Sequence, residues 1–131
     1  MLGHIGVNVR DLSAAKQYYD RLMPLVGYET FFAAGDQLSY LPSGGSRGVY
    51  IFLYPALEPG EFSRHQVGLQ HLAFMMPTRA SVDTLHVALV EMGAEIVHPP
   101  QHFPQYSPWY YATFWLDPDG LYLEAVCHKD A

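Results

Sequence analysis

The chain repeats itself, and the repeat limits its possible folds more than any other feature. The segment GHIGVNVRDLSAAKQYYDRLMPLVGYE, from Gly3, aligns with QHLAFMMPTRASVDTLHVALVEMGAEI, from Gln70. His4 then falls on His71, 67 positions later, and Gly27 falls near Gly93. Each half reads as a short apolar strand, a polar turn, a helix ending at glycine, and further strands. In the first helix Leu12, Ala15, Tyr19, Leu22 and Met23 recur at helical spacing; in the second Val82, Leu85, Leu89 and Met92 do so. Both stripes need a sheet to cover. Asp11 and Thr78 have the chemistry of N-caps, and Gly27 and Gly93 stand where a left-handed residue ends a helix. The strand-like runs YETFFAAG, QLSYLP and GVYIFLYP follow the first helix, and AEIVHP, YYATFWLDP and LYLEAVCH follow the second. The predicted fold is therefore α+β, two βαβββ repeats contributing eight strands to a mixed sheet with helices on the outside.

The first repeat covers about residues 1–55, the loop ALEPGEFSRHQ covers 56–66, and the second repeat covers about 67–131. A chain of 131 residues suits a single domain. Residues 98–108, HPPQHFPQYSP, hold four of the ten prolines, which rules out a central strand and leaves a bridge between strands or a lid over a pocket. The formal charge of −6, from 7 Lys+Arg against 13 Asp+Glu, provides no basic stripe for phosphates, so nucleic acid is not an expected partner. Cys127 is the only cysteine, which excludes an intrachain disulfide and a Cys-based metal cage. Neither a signal-peptide pattern nor an apolar run near the roughly 20 residues needed to span a bilayer is present. The expected setting is cytoplasmic, with no membrane partner.

Three polar residues interrupt inward strand faces. Alternation puts His4, Gly6 and Asn8 on one side of LGHIGVNV, and His71, Ala73 and Met75 on one side of LQHLAFMM, each time away from the helix layer. In the last strand Glu124 shares a face with Tyr122, Val126 and His128, in a run that is apolar on both sides of it. A carboxylate there is costly unless paired or metal-bound. One histidine alone would read as a core residue hydrogen-bonded to backbone. His4, His71 and Glu124 together, the two histidines at pseudo-equivalent strand positions, read as a 2-His-1-carboxylate ligand set that leaves coordination positions open for substrate.

The βαβββ repeat, GHIGVNVRDLSAAKQYYDRL, LQHLAF and above all TFWLDPDGLYLEAV resemble the vicinal oxygen chelate superfamily, which includes glyoxalase I, extradiol dioxygenases, fosfomycin-resistance transferases and bleomycin-resistance proteins. The likeness covers nearly the whole chain, and the turn DPDG sets the register that points the glutamate inward. The resemblance implies a cup of eight strands in two modules, with His4, His71 and Glu124 on the family's ligand positions. It also implies one divalent metal ion (Mn, Fe, Zn, Ni or Mg) that chelates two adjacent substrate oxygens and stabilises a developing enolate or oxyanion. Phe52 occupies the place where glyoxalase I carries an additional carboxylate ligand, Asn8 the place of its glutathione-binding arginine, and Phe114 the place of the dioxygenases' catalytic tyrosine.

The expected function is a metal-dependent lyase, isomerase or dioxygenase acting on a small oxygenated substrate. The alternative is a metal-free, ligand-sequestering protein of the bleomycin-resistance type. Tyr110 or Tyr111 faces the cup as a proton or hydrogen-bond donor, beside Glu124; Tyr111 is also expected in its aromatic lining, and the expected substrate pocket comprises Asn8, Phe52, Tyr54, Trp115 and His128. Cys127 reads as a buried small hydrophobe, and His65, His86, His98 and His102 read as surface residues. Relatives commonly pair, so a homodimer is expected.

Overall fold

Each repeat folds around one amphipathic helix. The computed structural model describes residues 1–131, and the chain divides into two units, Met1–Gly60 and Glu61–Ala131. In the first unit, strand β1 (His4–Val9) leads into helix α1 (Leu12–Leu22), and strands β2 (Tyr28–Ala34), β3 (Gln37–Pro42) and β4 (Tyr50–Pro55) complete the repeat. Asp11 starts α1 by accepting a hydrogen bond from the amide of Ala14 at 3.1 Å. The α-helix stops at Leu22 and tightens into a 3-10 turn over Met23–Val26, which Gly27 closes at φ +85°. Pro24 explains the early stop, because it lacks the N–H that a further helical turn would donate to Asp20. Strand order is β1-β4-β3-β2, with β1 parallel to β4 and the other pairs antiparallel.

The second unit repeats this with β5 (Leu72–Met75), α2 (Arg79–Glu91), β6 (Glu95–His102), β7 (Tyr111–Leu116) and β8 (Tyr122–Cys127), in the order β5-β8-β7-β6. The eight strands thus form two four-stranded mixed sheets, one per unit. Thr78 and Ser81 make a reciprocal capping box at the start of α2, with bonds of 3.0 and 3.2 Å. Val82, Leu85 and Leu89 face β7 and β8 and are at most 1% exposed. Each contributes about 1.5–3 kcal/mol through burial. No helix is long and apolar enough to cross a membrane.

Register verifies the repeat residue by residue. Gly6 pairs with Phe52 in the first sheet, and Ala73 pairs with Glu124 in the second. Gly6 and Ala73 are one repeat apart, as are Phe52 and Glu124. The halves differ most between their second and third strands: Gly35 and Asp36 alone join β2 to β3, whereas the eight residues 103–110 join β6 to β7. Gly35, at φ +59°, takes the first central position of the tight turn, where glycine is favoured. The proline-rich stretch is also less of a loop than its composition predicts. Strand β6 runs through Pro99 and Pro100 because it is an edge strand, where a missing N–H costs no ladder bond, and its register against β7 shifts on either side of His98.

Tyr40, on β3, is 1% exposed and donates to Asp20 Oδ1 at 2.8 Å. Burial and the neighbouring carboxylate raise its pKa well above the ordinary phenol range. The folded state therefore holds this proton more tightly than the unfolded chain, whose tyrosines ionise near about 10. Stability from this group is fully present below that pH and is lost as pH rises through the folded value. Thermal melts should be level across neutral pH and fall above about pH 10. Tyr40→Phe should flatten part of that alkaline slope while costing about 1 kcal/mol at neutral pH.

Candidate functional site

The turn DPDG fixes Glu124. Pro118 and Gly120 take the second and fourth places of a tight turn in which the amide of Gly120 donates to the carbonyl of Asp117 at 3.0 Å. Asp117 Oδ1 accepts from the amides of Asp119 and Leu121, at 2.9 and 2.8 Å. With the turn pinned, Leu116 pairs with Tyr122, Trp115 with Leu123 and Phe114 with Glu124. The even-numbered residues of β8 thereby face away from α2, and Glu124 is 1% exposed on that face.

Two groups touch the carboxylate, and a third orients one of them. Tyr110 donates its hydroxyl proton to Glu124 Oε2 in a short hydrogen bond, and His71 Nε2 stands 3.1 Å from Oε1. Gln70 Oε1 is hydrogen-bonded to the other ring nitrogen, Nδ1 of His71. An amide oxygen can only accept, so Nδ1 carries a proton and Nε2 is the ring nitrogen that faces the carboxylate. That contact is repulsive unless a proton or a metal cation lies between the two atoms. Two donors bound side by side to one cation at about 2.1 Å stand about 3 Å apart, so the spacing fits a shared metal. Burial, followed by the Glu124 carboxylate, raises the Tyr110 pKa above the usual phenol range, which keeps its proton in place.

The carboxylate opens into a cavity of about 440 Å³ formed by the second unit. Gln70, His71, Tyr110 and Glu124 make its polar side, and Phe103, Tyr106, Phe114, Tyr122 and His98 make its aromatic walls. Phe103, Tyr106 and Tyr110 come from the 103–110 loop, closed by a 2.8 Å bond from the Phe103 amide to the Tyr110 carbonyl. This stretch, open in sequence between bridge and lid, contributes a wall. Phe114 and Tyr122 stack at 5.4 Å, and the Arg64 guanidinium lies 4.4 Å above the Tyr122 ring. Burial raises the Tyr122 pKa, with Arg64 acting against it.

Several sequence expectations fall elsewhere. His71 immediately precedes β5 instead of lying within it, because that strand pairs with β8 only from Leu72 onward. Tyr111, expected in the cup beside Tyr110, faces the other way: its hydroxyl donates to Asp83 on α2 at 2.6 Å, and that carboxylate pushes its pKa up to about 12. Trp115 shares the Tyr111 face by strand alternation and is fully buried in the core, so it is not a cavity residue. His128 is exposed, its ring edge-on to Tyr110 at 5.0 Å. His98, read as a surface residue, is exposed and also lines the cavity. The signal available for it was the Pro99-Pro100 pair, which marks a bulge that can turn its neighbour.

In the first unit His4, Asn8, Phe52 and Tyr54 share the sheet face away from α1. His4 and Phe52 rings lie 4.9 Å apart, and Phe52 stacks on Tyr54 at 6.3 Å. A side chain at Gly6 would meet the Tyr54 ring at 3.4 Å, so glycine lets that ring lie against β1. His4 and Asn8 are exposed. Among candidate metal ligands, the second unit itself brings two together, His71 and Glu124.

A family model for the glyoxalase/bleomycin resistance protein/dioxygenase superfamily matches residues 1–125. The chain belongs to this superfamily. Members of the glyoxalase superfamily commonly bind a divalent metal. One relative is the uncharacterised protein YqjT of Bacillus subtilis (strain 168), 28% identical over 123 residues, which are 94% of this chain and 95% of YqjT. The crystal structure of a candidate glyoxalase from Bacillus halodurans is 31% identical with a TM-score of 0.82, over 97% of this chain and 95% of that one. The fosfomycin resistance protein FosX of Listeria monocytogenes shares the glyoxalase-superfamily fold at 17% identity and a TM-score of 0.72, over 97% of this chain and 92% of its own.

Proposed function

We propose that the chain is a metal-dependent enzyme of the glyoxalase/dioxygenase type that holds a small oxygenated substrate through two adjacent oxygens. The observation that carries this reading is the 3.1 Å approach of His71 Nε2 to Glu124 Oε1 with the other ring nitrogen already engaged. His71 and Glu124 are the ligands the second unit offers in this reading, and the ion is a single divalent metal. When bound, the metal supplies Lewis acidity to the chelated oxygens. Gln70 fixes the ring orientation of His71, and Tyr110 holds Glu124 Oε2 so that Oε1 is presented to the metal side. Tyr110 Oη, whose single proton is committed to Glu124 Oε2, is an acceptor available to a substrate hydroxyl.

Elemental analysis of purified protein should find close to one divalent ion per chain, and His71→Ala should lower occupancy at least tenfold. Wild-type protein that stays empty after soaking in Mn, Fe, Zn, Ni and Mg salts overturns the reading. A second reading, a metal-free sequestering protein, draws on the aromatic walls and on the meeting of two ligands rather than three within the second unit. That protein would be stabilised by bulky aromatic ligands in a thermal-shift assay and would ignore EDTA.

A further inference from the structure

The Tyr110 side chain is held at two points along the line of β8. Its hydroxyl donates to Glu124 Oε2, and its ring meets the His128 ring edge-on at 5.0 Å. Alternation, carried one residue past Cys127, puts Glu124 and His128 on one face, four positions and about 13 Å of extended chain apart. Val126 stands between them, 2% exposed, and Tyr110 packs against the apolar cluster that contains it. The phenol therefore reaches from the imidazole to the carboxylate across Val126.

Other supports of this ring travel with Tyr110 itself. Phe103 and Tyr106, whose rings lie 6.1 and 5.1 Å away, belong to the same loop. The loop's backbone bonds, from the Phe103 amide to the Tyr110 carbonyl at 2.8 Å and from the Tyr110 amide to the Ser107 carbonyl at 3.3 Å, fix the main chain and not the side chain. His128 comes instead from the end of β8, the strand that bears Glu124. The chain is anchored on both sides of it. Cys127 pairs with Tyr111 in the ladder. Beyond His128, Asp130 Oδ1 pairs with the Arg79 guanidinium at 3.0 Å, and the Ala131 carbonyl accepts from the Arg79 amide at 2.8 Å. The first turn of α2 thus holds the segment that presents the imidazole.

We propose that His128 is a positioning residue whose ring stops the Tyr110 side chain from swinging outward and so keeps the phenol proton on Glu124 Oε2. With Oε2 engaged, Oε1 stays turned toward His71, a consequence for metal affinity that rests on the function proposed above. The hold on the phenol itself does not depend on that reading. An edge-to-face pair of rings biases a side-chain equilibrium about two- to tenfold. His128 is exposed, so its removal acts on this equilibrium far more than on folding.

The test isolates the Tyr110 phenol by ultraviolet resonance Raman difference spectra, each protein minus its own Tyr110→Phe counterpart, recorded in EDTA. Wild type should show a phenol that donates to a carboxylate. His128→Ala should shift the signal toward a phenol bonded to water, and His128→Phe, which keeps a ring, should restore it. Mn²⁺ affinity should fall about two- to tenfold in His128→Ala and stay within about twofold of wild type in His128→Phe. In the Tyr110→Phe background His128→Ala should change it by less than about twofold, because the effect passes through the phenol. The proposal is overturned by a Raman signal unchanged in His128→Ala, by Mn²⁺ affinity unmoved in that variant where wild type binds the ion, or by an equal loss in the Tyr110→Phe background. Absence of Mn²⁺ binding throughout, with the His128-dependent Raman shift retained, supports this proposal and overturns the metal reading instead.

Discussion

Glu124→Ala is expected to abolish metal binding and to destabilise the second unit at the same time. The carboxylate is 1% exposed and accepts from Tyr110 while facing His71. Truncation leaves the Tyr110 phenol without its acceptor in a partly buried site, at about 1–3 kcal/mol. Metal affinity should fall at least about 100-fold, since a ligand itself is removed and second-sphere changes alone cost 10–100-fold. Glu124→Gln separates the two effects. The amide oxygen still accepts from Tyr110, so chemical denaturation should place this variant within about 1 kcal/mol of wild type, while metal titration should still show a loss of tenfold or more. Metal bound normally by Glu124→Ala would remove the carboxylate from the proposed ligand set.

Trp115→Ala should be the most damaging single substitution in the second unit. The indole is fully buried between its strand and α2, and a truncation of this size costs about 3–5 kcal/mol. That is a large fraction of the 5–15 kcal/mol that typically separates folded from unfolded domains. A fall of about 10–20 °C in Tm follows for a chain of this size. Because Trp115 lies on the face opposite Glu124, the folded fraction at low temperature should bind metal as wild type does. Reduced metal affinity in that folded fraction would return Trp115 to the cavity.

The sequence carried the repeat because both helices obey one periodicity and one capping scheme, and because Gly6 and Ala73, then Phe52 and Glu124, recur at matching pairs of the two ladders. The placement of Glu124 was legible for a stronger reason: DPDG admits few turn geometries, and the turn dictates every pair beyond it. Tyr111 and Trp115 were assigned to the wrong face because alternation fixes which residues share a side, not which side the helix takes. The Tyr111 hydroxyl reaching Asp83 decides that question, and it is a tertiary contact between residues 28 positions apart. His98 is exposed, as expected of a surface residue, but its place on the cavity wall escaped for a related reason. A bulge shifts the period of two by one step, and pattern reading that assumes an unbroken period assigns the following residue to the opposite face.

The unequal connections between the middle strands have a consequence for engineering. Two residues suffice to turn the chain in one half, so the extra six in the other are surplus to making the hairpin. Those residues are clamped at their ends by Phe103 and Tyr110 and behave as an exchangeable cassette, open to randomisation while the ladder beneath stays intact. A library confined to positions 104–109 should yield altered ligand preferences with unchanged melting behaviour, a cheap evolutionary route by which one scaffold acquires many chemistries.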